Sequence, residues 1–170
     1  MFVFGGAWTI AWSLETYDVN WPVIAIISAF SIGLFLVAWR QFRQNKAARA
    51  AEADSPESKK AGRIFNIANA AQWISIFIVA MLLSKFGLQA WIIPAIIFIV
   101  GIHFIPLAIG FKVPRHHITG VALILLAIGY PLLAPNGPAS PIGCLGAGII
   151  LWLSAGAALL DRAAPNADPA

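Results

Sequence analysis

Long apolar runs separated by short polar breaks dominate the chain. Runs at 22–39, 64–83, 88–111, 118–133 and 142–160 reach or approach the roughly 20 residues a helix needs to cross a hydrocarbon core of about 30 Å. A sixth run, "MFVFGGAWTIAWSLE", is equally apolar but shorter. It has neither a basic lead-in nor a small-residue cleavage site, so it is read as a first transmembrane helix rather than a signal peptide, with a re-entrant or interfacial segment as the alternative. The pattern predicts an all-α, polytopic transmembrane helix bundle of six helices, or five if the first segment does not span. It forms one domain over 1–162, with a polar loop at 40–63 and a disordered tail at 163–170.

Composition supports lipid as the solvent. Sixty per cent of residues are hydrophobic and 11% charged, at a mean hydropathy of +0.83. A soluble chain of 170 residues has too little interior to hide that much apolar surface. The formal charge of +4 gains meaning from its placement. The 40–63 loop holds seven of the eleven Lys and Arg residues, which places it in the cytoplasm by the positive-inside rule. Alternating sides then puts Lys112, Arg115 and Arg162 inside and leaves Lys85 outside. Both termini are expected in the cytoplasm, and the location expected is a bacterial inner membrane. Nucleic acid is not an expected partner. A lone cysteine, Cys144, rules out an intramolecular disulfide framework and a thiolate metal cluster.

Polar residues inside spans are costly, so each has a functional and a structural reading. In "IFNIANAAQWISIF", Asn66, Asn69 and Trp73 fall at i, i+3 and i+7, with Gln72 one step around. Such a stripe either lines a ligand or ion path or makes hydrogen bonds between helices. His103 lies near the middle of the 88–111 run, three residues before Pro106. Pro106 has no N–H to offer the Ile102 carbonyl. His103 is therefore read as a proton-responsive group, a single metal ligand or an axial haem ligand, or as a neutral bridge to another helix, with Asn69 or Gln72 the expected partner. Lys112, Arg115, His116 and His117 form a basic cluster at a membrane boundary, suited to anionic headgroups. Gly143, Gly146, Ala147 and Gly148, then 154–158, form small-residue zones for close helix packing or an oligomer contact.

No carboxylate lies in the interior of a span, and no histidine spacing fits paired haems or a di-iron centre. No cofactor, metal site or catalytic residue is expected. Enzyme action is open and poorly supported by spacing.

The stretch "GIHFIPLAIGFKVPRHHITG" resembles one found in small bacterial multi-pass membrane proteins of uncharacterised function. The residues that carry the likeness are His103, Phe104, Pro106, Leu107, Ala108, Phe111, Pro114, Thr119 and Gly120. The opening "FGGAWTIAW" is similar to the first helix of such proteins. This resemblance implies a membrane location and no known activity, and it carries over no catalytic residue. Three functions remain as expectations. The first is a non-catalytic membrane module that binds a lipid, a hydrophobic ligand or a membrane-protein partner, with a homo-oligomer as one form of it. The second is a small transporter or channel subunit with a polar path lined by Asn66, Asn69, Gln72 and His103. The third is a membrane enzyme or cofactor carrier using His103.

Overall fold

A computed structural model describes residues 1–44 and 55–163. Among the described residues six α-helices follow one another: α1 (Phe2–Tyr17), α2 (Trp21–Gln44), α3 (Pro56–Lys85), α4 (Ile92–Gly110), α5 (Arg115–Leu133) and α6 (Ile142–Ala163). Short 3-10 turns at Gln89–Trp91 and Gly137–Ala139 lead into α4 and α6, and no strand occurs among the described residues. Five helices, α2 to α6, are long and apolar enough to cross a membrane. The molecule is an all-helical bundle of multi-pass type. With 16 residues, α1 is only about 24 Å long, short of the ~30 Å core. It is nevertheless one continuous helix. Phe2, Gly5, Gly6, Thr9 and Ser13 are buried, a stripe at helical spacing.

Local chemistry sets the helix ends. Ser55 accepts a hydrogen bond from the Ser58 N–H at 3.1 Å, and Pro56 occupies the first turn, where its missing N–H costs nothing. As a result α3 begins well before residue 64, and its 30 residues span about 45 Å. Helix α2 likewise runs on to Gln44. The polar loop expected at 40–63 is thus helical at both margins, because Ala, Glu, Lys, Arg and Gln favour helix. Its centre, 45–54, and residues 164–170 of the expected tail lie outside the described residues. Gly87, at φ 73°, supplies the left-handed turn that ends α3. Lys112, at φ 53°, holds a comparable turn between α4 and α5 without that freedom, in a conformation costly for a residue with a Cβ.

Neighbouring helices run in the order α3, α4, α5, α6, α1, α2. The buried core lies where α4, α5 and α6 meet, around Ile97, Leu123, Ala127, Ala147 and Leu151. Small residues permit the closest approaches. A Cβ on Gly101 would lie 2.9 Å from the Gly120 carbonyl oxygen, and one on Gly120 would lie 2.7 Å from that of Gly101. This locks α4 onto α5. Gly148 packs in the same way against Thr9 and Gly5 of α1. Gly143 meets Tyr130 and Gly146 meets Leu126, so most of the glycine-rich zone of α6 is used within the bundle. Across α5 and α6, Thr119 donates to the Ser154 hydroxyl at 2.7 Å. Cys144 is buried and acts as a small apolar residue.

Helices α2 and α3 are peripheral. Only Ile27 and Ser31 of α2 and Ala61 of α3 are buried, while Ile26, Phe77 and Ile67 are largely exposed. A helix so apolar and so little covered by protein is compatible with lipid contact. Trp21, Trp39 and Trp91, at helix ends, are also exposed, as interfacial anchors should be.

Candidate functional site

The peripheral positions of α2 and α3 create the site. Helix α3 packs on α4, and α1 on α6, leaving a cleft between α1 and α3. A cavity of about 310 Å³ occupies it. Asn69, Gln72 and Trp73 enter from α3, His103 and Phe104 from α4, and Phe4 and Trp8 from α1. Leu151 closes its base and His116, in the first turn of α5, its end. His103 is seven residues before the end of α4, a depth of roughly 10 Å along the helix. The cavity therefore runs from the α4–α5 turn into the apolar bundle.

Four of the five residues expected to bind a ligand meet here: Asn69, Gln72, Trp73 and His103. Asn66 does not, and it is exposed. The stripe expected on α3 was drawn one step too far round. The residues that face the cavity are Phe65, Asn69, Gln72 and Trp73, at i, i+4, i+7 and i+8, and Asn66 falls outside this arc.

The expected bond from His103 to Asn69 or Gln72 is absent. Instead His103 borders the same small cavity as Ala68 of α3, and its Nδ1 is buried with no hydrogen-bond partner. Neither the Asn69 nor the Gln72 side chain hydrogen-bonds to another described residue. The amide atoms border the cavity, and they keep their donors and acceptors free for whatever enters it.

The boundary cluster also divides. Lys112 is exposed and pairs with Glu57 at 3.2 Å, a surface contact worth under about 1 kcal/mol. That pair ties the start of α3 to the α4–α5 turn. His117 is exposed, but His116 turns inward. Its ring lies 5.7 Å from that of Phe104, and its Nδ1 is buried without a partner. Arg115 is half-buried and borders a separate groove beside Thr119 and Ser154. Of the four, then, only Lys112 and His117 are fully presented at the surface.

Apart from Trp73, sequence reasoning missed the aromatic walls. Phe4, Trp8, Phe65, Phe104 and Phe111 border the cavity beside it. Phe65 was within reach of the pattern, four residues before Asn69. Phe4 and Trp8 were not, because their place depends on α1 packing beside α6.

Gln72 and His103 also border a second cavity, of about 180 Å³, with Ser75 and Pro106. Ser75, Ile99 and Ile102 then continue into an open apolar groove of about 820 Å³. The two polar side chains thus form a wall shared by spaces on two sides of the α3–α4 contact. Among the described residues no group of three or more His, Cys, Asp or Glu side chains is placed to hold a metal ion. No protein-family model, no curated protein and no solved structure matches this chain.

Proposed function

We propose that this protein is a non-catalytic membrane module that takes a hydrophobic ligand from the bilayer into the α1–α3–α4 cleft. The observation that carries this reading is the set of unpartnered polar groups in an apolar setting. The side chains of Asn69 and Gln72 border the cavity beside His103 and His116, and neither amide hydrogen-bonds to another described residue. Polar groups shielded from water are normally satisfied, and leaving one unmade costs about 1–3 kcal/mol. A bound molecule that satisfies those amides removes the cost. The cleft lies between helices that meet lipid, so such a molecule enters sideways from the membrane. Its volume falls at the lower end of the usual range for small-molecule sites.

Orientation belongs to the same proposal. The basic residues that flank α2 and α3, with Lys112 and Arg115, support a cytoplasmic position for the His116 end of the cleft. The membrane proposed is a bacterial inner membrane. Anionic lipid is its proposed surface contact, through Lys112 and His117.

Val100 borders the cavity, so Val100→Trp fills it. Wild-type protein, purified gently and extracted with organic solvent, should yield a near-stoichiometric hydrophobic molecule by mass spectrometry. The Val100→Trp protein should not. Identical extracts from both would sink the proposal.

A second reading is a solute path across the α3–α4 contact, favoured by the wall that Gln72 and His103 share between two cavities. Solute flux in proteoliposomes that disappears in His103→Leu would select it.

A further inference from the structure

The lining of the cleft narrows the chemistry of its occupant, given the ligand-binding reading above. Volume limits size. A cavity of about 150 Å³ holds one benzene ring, so 310 Å³ matches two fused rings, or one ring with substituents. A phospholipid headgroup with two chains does not fit within it. Shape follows from the walls: six aromatic side chains surround the space, and rings of this kind favour a flat partner by stacked or edge-on contact. The Phe104 ring already meets those of His103, at 6.0 Å, and His116, at 5.7 Å.

Polarity is set by His103. A neutral imidazole has one N–H and one lone pair. Its Nδ1 is buried, so the nitrogen open to the cavity is Nε2. With the proton on Nδ1, Nε2 is left as an acceptor, and no described residue hydrogen-bonds to it. Asn69 and Gln72 can each donate or accept and adapt to either partner. The group missing from the cavity is a donor. An apolar ligand supplies one most economically as a hydroxyl.

We propose that the cleft binds a flat, one- or two-ring amphiphile bearing a ring hydroxyl, of the phenol or quinol class, with the hydroxyl donating to His103 and any chain leaving between α1 and α3 into lipid. The amides of Asn69 and Gln72 hold oxygen on the same ring. Binding alone is proposed, with no electron transfer. The chain exit accounts for the opening of the cleft toward lipid, where Trp73 of α3 is 55% exposed.

The test uses full-length protein in lipid nanodiscs, with empty nanodiscs subtracted, and three probes: 1-naphthol, 1-methoxynaphthalene and naphthalene. Equilibrium dialysis measures saturable binding. Wild-type protein should bind 1-naphthol at one site, at least about tenfold more tightly than 1-methoxynaphthalene, the tenfold corresponding to about 1.4 kcal/mol. In His103→Leu that preference should vanish while naphthalene binding persists. His103→Phe, which keeps a ring in place, serves if the leucine variant misfolds, and the wild-type ratio decides if neither folds. Equal affinity for 1-naphthol and its methyl ether overturns the hydroxyl assignment, whereas a preference that survives in His103→Leu overturns the role of His103. If no probe binds but wild-type extracts still carry a hydrophobic molecule absent from Val100→Trp, the ring class fails and the binding module stands. If neither result appears, both fail together.

Discussion

Replacement of Gly148 by alanine probes whether the contact between α1 and α6 holds the bundle together. A Cβ at this position would press on the Thr9 side chain, 3.0 Å from the Gly5 carbonyl oxygen and 3.3 Å from the Thr9 nitrogen. Two of these three atoms belong to the backbone and cannot rotate away. The third, Thr9 Oγ1, is held by its own donation to Gly5 at 2.9 Å. Accommodating the methyl therefore requires α1 to move as a body, an overpacking penalty of about 1–3 kcal/mol. Gly156, on the same helix, has nothing within 4 Å of its Cβ position. There alanine should gain the helix preference it holds over glycine, about 0.5–1 kcal/mol. For a chain of this size, 1 kcal/mol moves the midpoint by about 2–4 °C. Gly148→Ala should therefore melt about 2–12 °C lower than wild type, and Gly156→Ala about 1–4 °C higher. Circular dichroism in a mild detergent, with size-exclusion chromatography before and after, measures both. Adding Thr9→Ala should restore part of the Gly148→Ala loss, because it removes the hydroxyl but leaves the Gly5 carbonyl. Shifts of the same sign and size at the two glycines would refute the close approach of α6 to α1.

Three further outcomes are expected. His103→Leu should leave thermal stability unchanged or raised, because the ring has no side-chain partner to orphan; a loss above about 1 kcal/mol would mean that a hidden partner exists. A double-mutant cycle of Thr119→Val and Ser154→Ala should give a coupling of about 0.6–1.7 kcal/mol, and a value near zero would show that their 2.7 Å bond contributes nothing. In a Cys144→Ala background, cysteine at Ser58 should react with an impermeant maleimide only after the inner membrane is opened, and labelling in intact spheroplasts would reverse the proposed orientation.

The class of the molecule was written in the sequence because it depends on averages. Twenty apolar residues in a row have few fates other than a spanning helix, since every backbone polar group in lipid must be satisfied within its own segment. Runs such as 118–133 and 142–160 therefore marked α5 and α6 closely. Helix ends were less legible where the helix continues into water, as in α3, whose start depends on the Ser55 cap rather than on hydropathy. Part of the site was visible too. Amides and an imidazole in apolar helices must turn from lipid, which was enough to single out Asn69, Gln72 and His103.

Which groups meet was decided only by tertiary packing. A one-step rotation of α3 about its axis separates Asn69, in the cleft, from Asn66, outside it, and the stripe drawn from spacing alone had an uncertainty of about that size. His116 looked like its neighbour His117 in the sequence. The turn held by Lys112 and Pro114 sends the two rings in different directions, because adjacent residues on a helix project about 100° apart. Above all, the cleft exists because α1 packs on α6 and leaves a gap beside α3. That choice rests on Gly5, Thr9 and Gly148 fitting together across some 140 residues of chain. No local pattern encodes such a long-range fit, since packing specificity between apolar helices in lipid comes from shape, and shape is a property of pairs.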